Sequence, residues 1–418
     1  MKKPLFLTTI LASVITFCTI FSCTNYNSVA DPHFDSDGTY LVVNDSNMFT
    51  PESPSRIRFF VEVSGSMNGF FRANVPTNFK TDVWAVTSYF SGLIPTVDIL
   101  TNDGSIGTQL SLQQFQTAMN TGSFVSSAST KTPIMLKSMI KSLKADADEV
   151  AVLVSDMKYS PVGAAAPNVL LSQYSTDISS ILGQYGKAIC MIAATSDYRD
   201  KNGNVVTPTS PYYYVIIGND RQVAFMRNAI STLLDNNKHF VDNIESGFNY
   251  GQPHYEFGVP LNCYQQDNEP TFVGYDSETN DTATVRLKLD IANYRWLMAD
   301  EEYLREALKV KTLYGSKVEI GSIKFDVKNI TEKELKRTAV ATIDLKVYNM
   351  LGNDADVIEW TLELPDSDIS RLTQFFGATS ENDVTKSYSV DDFLKGIFYG
   401  GVINKSIKPN YILISKQL

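Results

Sequence analysis

Residues 59–69 read Phe-Phe-Val-Glu-Val-Ser-Gly-Ser-Met-Asn-Gly. An apolar strand runs straight into three oxygen-bearing side chains at alternate positions, Glu62, Ser64 and Ser66. Alternation puts a carboxylate and two hydroxyls on one side of an extended turn. A hard divalent cation is bound by such a cluster of oxygens. The run Arg56 to Val63 that leads into it is almost continuously apolar, the pattern of a strand buried on both faces.

Working outward from this strand, apolar runs alternate with helical periodicity. Asp82 to Ile94 carries Val83, Val86, Phe90 and Leu93 at helical spacing, and Ser111 to Met119, Pro133 to Leu143, Leu170 to Tyr185 and Asp220 to Leu234 also read as helices. Short strands are expected at Thr96 to Leu100 and Ile106 to Leu110, flanking the hairpin signal Asn102-Asp103-Gly104. Glu149 to Ser155, Ala188 to Thr195 and Tyr212 to Ile217 complete the strand set. This order predicts an α/β domain with a doubly wound, mostly parallel sheet, to which the early hairpin adds a single antiparallel edge strand.

Beyond Asn236 the pattern changes. Thr282 to Ile291 alternates apolar and polar residues, as do Val318 to Val327 and Thr338 to Tyr348, and Ile358 to Leu364 and Tyr411 to Ser415 read as further strands. These spacings predict a β-rich, antiparallel, sandwich-like C-terminal domain, with helical stretches at Asp368 to Phe376 and Val390 to Phe398. The domain limits are then 1–22 for a leader, 23–54 for a tether, 55–236 for the α/β domain and 237–418 for the β-rich domain. The polar stretch Asp267 to Asn280 reads as solvated linker.

In an open α/β sheet, ligands bind at the carboxyl ends of the strands. Glu62, Ser64 and Ser66 follow the first strand, Asp156 closes the strand Val150 to Ser155, and Thr132 opens a helix with Pro133 at its first turn. Two carboxylates and three hydroxyls from three chain segments would suit a small oxygen-loving cation. Blander readings stand beside this one: Ser64-Gly65-Ser66 also fits a plain turn, Thr132 a helix N-cap, and Asp156 a strand end.

The stretch Glu62-Val63-Ser64-Gly65-Ser66, with Thr132 and Asp156 in order behind it, resembles the Asp-x-Ser-x-Ser motif of von Willebrand factor A (vWA) domains, with Glu in place of the first Asp. The resemblance covers about Ser55 to Asn236. It implies a metal-ion-dependent adhesion site in which Glu62, Ser64, Ser66, Thr132 and Asp156 hold Mg2+, or Mn2+ or Ca2+ in its place. It also implies a protein partner that supplies a carboxylate to the metal. Two departures bear on this: Glu62 is one methylene longer than Asp, and Met157 stands where the family commonly has glycine.

The N-terminus is expected to be a leader. Lys2 and Lys3 precede an apolar run from Leu5 to Phe21 that ends in Ile20-Phe21-Ser22-Cys23. This resembles the bacterial lipobox, which implies lipidation of Cys23, membrane attachment through the lipid and a place in the cell envelope; an uncleaved membrane anchor is the other reading. The chain of 418 residues has 43% apolar content and a net charge of −10, with no basic run, so nucleic acid is a poor partner. Three scattered histidines (His33, His239 and His254) offer no zinc spacing. Cys190 lies in an apolar run and reads as a buried thiol, a bridge to Cys263 being the alternative. Tyr212, Tyr213 and Tyr214 read as core rather than as a sugar platform.

Three functions follow as expectations: a partner-binding envelope lipoprotein, a metal-free scaffold subunit on the same fold, and a serine hydrolase. The last is disfavoured because Val63-Ser64-Gly65-Ser66-Met67 lacks the Gly-x-Ser-x-Gly frame. The chain is therefore read as a non-enzyme.

Overall fold

Strand β1 (Arg56–Glu62) is the axis of a computed structural model in which it lies near the middle of a seven-stranded sheet. The structure describes residues 49–416 apart from 102–104, 125–130, 145–147, 160–166, 251–252, 254, 258–262, 266–271, 276–281, 292–293, 295–300, 329–337, 349–354, 364–368, 381 and 401–408. The leader, Cys23, most of the tether and the Asn102-Asp103-Gly104 turn thus lie outside the described residues, as do His33 and His254. Among the described residues no helix is long and apolar enough to cross a membrane.

The sheet adds β2 (Val97–Leu100), β3 (Ile106–Leu110), β4 (Glu149–Ser155), β5 (Ala188–Arg199), β6 (Val205–Gly218) and β7 (Phe240–Ser246), in the order β3-β2-β1-β4-β6-β5-β7. Both faces of β1 are covered, as its apolar run requires. Ile57, Phe59 and Val61 enter one core, packed beneath helices α1 (Asn78–Tyr89), α2 (Leu112–Thr121) and α5 (Asp220–Asn236). Phe60 enters a second core on the opposite face, beneath α3 (Thr132–Ser142) and α4 (Pro167–Tyr185).

Four strands, β1, β2, β4 and β5, share one direction, so the expected parallel majority is present. Parallel pairing, however, is confined to β2-β1-β4, and three strands run against the others where the sequence reading expects one. The cause is local. No helix separates Ala188–Thr195 from Tyr212–Ile217; both strands extend toward each other and close a hairpin at Asp200–Asn204. There the Asp200 carboxylate accepts from the backbone N–H groups of Asn202 and Asn204, each at 2.8 Å. A short turn of this kind joins antiparallel neighbours only.

Helix α1 begins four residues before the expected Asp82. Thr77 caps it, its hydroxyl accepting from the Lys80 N–H at 3.3 Å. The next two N–H groups, of Asn78 and Phe79, donate to the side chains of Asp197 and Ser196 on β5 at 2.8 Å each. These contacts satisfy donors that a helix start leaves orphaned.

Residues 255–416 form two further sheets. One has the order β13-β14-β11-β8, all antiparallel, from β8 (Tyr255–Phe257), β11 (Thr282–Asp290), β13 (Lys317–Lys328) and β14 (Thr338–Tyr348). The other has the order β12-β15-β16-β10-β9, from β9 (Cys263–Gln265), β10 (Phe272–Tyr275), β12 (Leu308–Thr312), β15 (Ala355–Leu362) and β16 (Asn410–Lys416). Its β10–β16 pair is parallel and the rest antiparallel. Helix α6 (Glu301–Ala307) leads into β12. Inward residues of both sheets share one core, where Tyr255 meets Trp360 edge-on at 5.4 Å. Strand β10 falls inside the stretch 267–280 expected as linker; Phe272, Val273 and Tyr275 supply the strand, and the polar residues around it masked that short run.

The chain crosses the expected boundary at Asn236 twice. Strand β7, just beyond it, pairs with β5 in the first sheet. Near the C-terminus, the 3-10 turn Ser370–Phe375 and helix α7 (Val390–Gly400) return to the first sheet, and α7 packs on α4 through Phe393, Leu394 and Ile397 in the second core. Cys190 is buried as a thiol in β5, and Tyr212, Tyr213 and Tyr214 are all buried in β6.

A buried carboxylate ties three elements together. Asp82 accepts hydrogen bonds from Tyr212 Oη at 2.7 Å and Asn237 Nδ2 at 2.8 Å, and pairs with His239 Nδ1 at 2.7 Å. Burial pushes its carboxyl above the usual Asp range, opposed by these three neighbours, which favour the charged form. A raised folded value means the native state binds the proton more tightly than the unfolded chain. The contribution of Asp82 to stability therefore falls as pH rises from the ordinary Asp range through the folded value. The difference in urea-unfolding free energy between wild type and Asp82→Asn should thus shrink from about pH 4 to pH 7. A difference that stays flat or grows over that interval would overturn the assignment.

Candidate metal site at the edge of the first sheet

Because β1 and β4 are parallel neighbours, with Phe60 opposite Leu153 and Val61 opposite Val154, their carboxyl ends leave the sheet side by side. Glu62 is fully buried there, and its carboxylate accepts a hydrogen bond from the hydroxyl of Ser155, the last residue of β4. The chain then turns through a 3-10 segment, Gly65–Gly69. Ser64 stands at the N-cap of that turn and makes no capping bond. Its hydroxyl pairs instead with that of Ser66 at 2.8 Å, so both oxygens face one another rather than the backbone. Gly69 closes the turn against Tyr198 of β5; a Cβ at position 69 would lie 2.3 Å from that ring.

Thr132 does not act as a cap either. Lys131 holds the N-cap position of α3 and Thr132 is the first helical residue. Its hydroxyl is buried and has no hydrogen-bond partner among the described residues. Asp156 follows β4 and is 1% exposed. Its Oδ1 accepts from the Lys158 N–H at 3.3 Å, whereas Oδ2 has no partner among the described residues. Burial raises its carboxyl above the usual range, while the Lys158 charge and the nearby Ser66 hydroxyl favour the charged form. Each orphaned buried oxygen costs about 1–3 kcal/mol, and native proteins leave few of them.

The structure thus brings Ser66 to Asp156 and joins Ser66 to Ser64. Glu62 and Thr132 meet around Tyr174 of α4, whose hydroxyl lies beside Thr132 and within electrostatic range of Glu62. The five side chains thus fall into two groups, Ser64, Ser66 and Asp156 on one side and Glu62 and Thr132 by Tyr174 on the other, and all five carry oxygen donors. Among the described residues no three His, Cys, Asp or Glu side chains gather as a metal-ligand group; this edge offers two carboxylates, and its other donors are hydroxyls. His239 is engaged by Asp82.

Several residues that shape the site carry no signal in the motif. Ser155 orients Glu62 and also accepts from the Met157 N–H at 2.8 Å. Met157 has φ +54°, the left-handed conformation that glycine adopts without penalty. Its side chain is wholly buried in the second core, which holds the strained backbone in place. Lys158 is 4% exposed, and its ammonium donates to the Asp383 carbonyl at 2.8 Å. Ser387 donates to the Asp156 carbonyl at 2.9 Å, so the segment before α7 folds down on the site from more than two hundred residues away. A lysine at the end of an apolar strand was the one local hint of the buried charge.

Compared with family models, with curated proteins and with solved structures, the chain matches none.

The Gly69–Tyr198 contact fixes the serine turn. Gly69→Ala should destabilise the protein by about 1–3 kcal/mol in urea unfolding, the usual cost of overpacking. Combining it with Tyr198→Ala should give less than the sum of the two single effects, because the clash is then removed. Strict additivity would show that the ring does not constrain the turn.

Proposed function

We propose that this chain is a vWA-like envelope lipoprotein, lipid-anchored through Cys23, whose first sheet binds a protein partner through a divalent cation. Glu62, Ser64, Ser66, Thr132 and Asp156 would hold the ion, and the ion would supply the positive charge that binds a partner carboxylate. The observation that carries this reading is that two buried oxygens, Asp156 Oδ2 and Thr132 Oγ1, lack a well-formed hydrogen bond among the described residues, with only the Ser66 and Tyr174 hydroxyls beside them, near the Ser64–Ser66 hydroxyl pair. An oxygen-only donor set suits Mg2+, with Mn2+ or Ca2+ as alternatives. The antiparallel edge strand β3 beside β2-β1-β4 supports the vWA-like assignment, and the antiparallel β6 beside β4 departs from the expected order. The left-handed backbone at Met157 fits a position where the family has glycine. We read the chain as a binding protein rather than an enzyme because Ser64 and Ser66 bond each other and, among the described residues, neither engages a histidine.

One observation favours a second reading, a metal-free scaffold. The buried ammonium of Lys158 stands near Asp156 and already offers a positive charge to that carboxylate. Thermal unfolding separates the two. With Mg2+ at 100 times its Kd, the wild type should gain about 2.7 kcal/mol over the protein in chelator. Asp156→Asn should lose that gain, whatever its own stability in chelator, because the comparison is made for each protein with and without Mg2+. Stability and partner capture from envelope extract that are unchanged by chelator would establish the scaffold instead.

A further inference from the structure

Beside the serine turn lies a cleft of ≈ 230 Å³ whose lining includes Ser64, Asn68, Arg72, Gly122 and Phe124. Among the described residues, Arg72 is its one charged lining residue. The Nε of Arg72 is buried without a hydrogen-bond partner, and among the described residues the guanidinium forms no ion pair. Arg72 and Asp200 sense each other's charge, but the Asp200 carboxylate is occupied by the amides of its own turn. An unpaired guanidinium at a polar cleft is suited to a planar anion, because its N–H groups form a fork that matches a carboxylate.

The walls are held in place by contacts that do not use the cleft. The buried ammonium of Lys80 binds the backbone carbonyls of Arg72 and Val75, the latter at 2.9 Å. Thr77 donates to the Phe70 carbonyl at 2.9 Å, and the Asn74 N–H to the Asn120 carbonyl at 2.8 Å. Gly122, at φ +61°, ends α2 so close to this loop that a Cβ would lie 2.9 Å from the Phe71 carbonyl oxygen. The Arg72 backbone is therefore fixed before any ligand arrives, which lowers the ordering cost of binding.

We propose that this cleft is a carboxylate pocket that receives an Asp or Glu side chain of a protein partner, with the Arg72 guanidinium as principal contact and Asn68 and Ser64 as secondary donors. It deepens the partner-binding reading above by assigning a recognition group outside the five cation-site residues other than Ser64. The volume suits an amino-acid side chain, and mobile phosphate or a free small acid are the competing occupants.

The experiment uses the full mature chain and the probes N-acetyl-Gly-Asp-Gly-amide and N-acetyl-Gly-Glu-Gly-amide, their Asn and Gln counterparts, succinate and inorganic phosphate. Binding is read by NMR from the Arg72 Nε–Hε resonance and by calorimetry, in chelator and in Mg2+. The acidic peptides should bind in chelator, their amide counterparts should not, and Arg72→Gln should weaken binding by about tenfold or more. Arg72→Lys should recover only part of it, with the melting temperature of both variants unchanged. Acidic peptides that bind only in Mg2+, and equally well to Arg72→Gln, would overturn the pocket and leave the cation site standing. Binding in chelator that Mg2+ does not alter would keep the pocket and count against the cation site. Phosphate or succinate binding more tightly than the peptides would overturn the assignment to an acidic side chain.

Discussion

The parallel pairing of β1 with β4 is the constraint on which the candidate site depends. Six residue pairs in register, from Arg56–Glu149 to Val61–Val154, set two strand ends at one level of the sheet. Ninety-odd residues of intervening chain are thereby made irrelevant to the separation of Glu62 from Ser155 and Asp156. A slip of one residue would exchange the faces of every side chain on β1, moving Glu62 away from Ser155 and Phe60 out of the second core. The register is defended by burial on both faces, since Phe59 and Phe60 are each fully enclosed on opposite sides. The apolar packing of the sheet thus determines the placement of a polar cluster at its rim.

That cluster is electrostatically unfinished. Glu62 has the Ser155 hydroxyl, and Asp156 has the Lys158 backbone and ammonium, but among the described residues one oxygen of Asp156 and the hydroxyl of Thr132 are buried without a hydrogen bond. Elsewhere the same chain completes its buried charges. Asp82 has three neighbours, and Arg227 is matched by Glu245 and Tyr250. Unpartnered buried groups are not confined to this rim, since Ser88, Ser231, Ser246 and the Trp360 indole also lack partners among the described residues; what sets the rim apart is that one of its unpartnered atoms is a carboxylate oxygen.

Elements with strong periodicity were legible in the sequence. The helices at Ser111, Pro133 and Asp220 and the strands β1, β4, β11 and β14 fall within a residue or two of their expected limits, because apolar periodicity, the Ser111 capping box and Pro133 in the first turn mark their ends. What was not legible depended on partners distant in sequence. The early start of α1 rests on Ser196 and Asp197, and the antiparallel β6 on a turn held by Asp200. The return of α7 to the first sheet has no trace in local composition. The five proposed ligands were read from strand-end positions together with the resemblance to the vWA motif, whereas Ser155, Lys158 and the cleft at Arg72 follow from packing that no motif records.

The C-terminal return has a consequence for the site. Lys158 and Asp156 are each tied to the segment before α7, through the Asp383 carbonyl and the Ser387 hydroxyl, and Ser210 binds the Val384 carbonyl beside them. The position of the one buried cation near Asp156 is therefore set by residues that lie beyond the second pair of sheets in the chain. Were that segment displaced, Lys158 would lose its Asp383 carbonyl partner, and a buried ammonium is costly to leave with fewer hydrogen bonds. Asp156 would then face the same deficit in charge with less compensation. The surroundings of Asp156 and the docking of the C-terminal segment are thus coupled through Lys158 and Ser387, so the first sheet is completed by chain that follows the β-rich region.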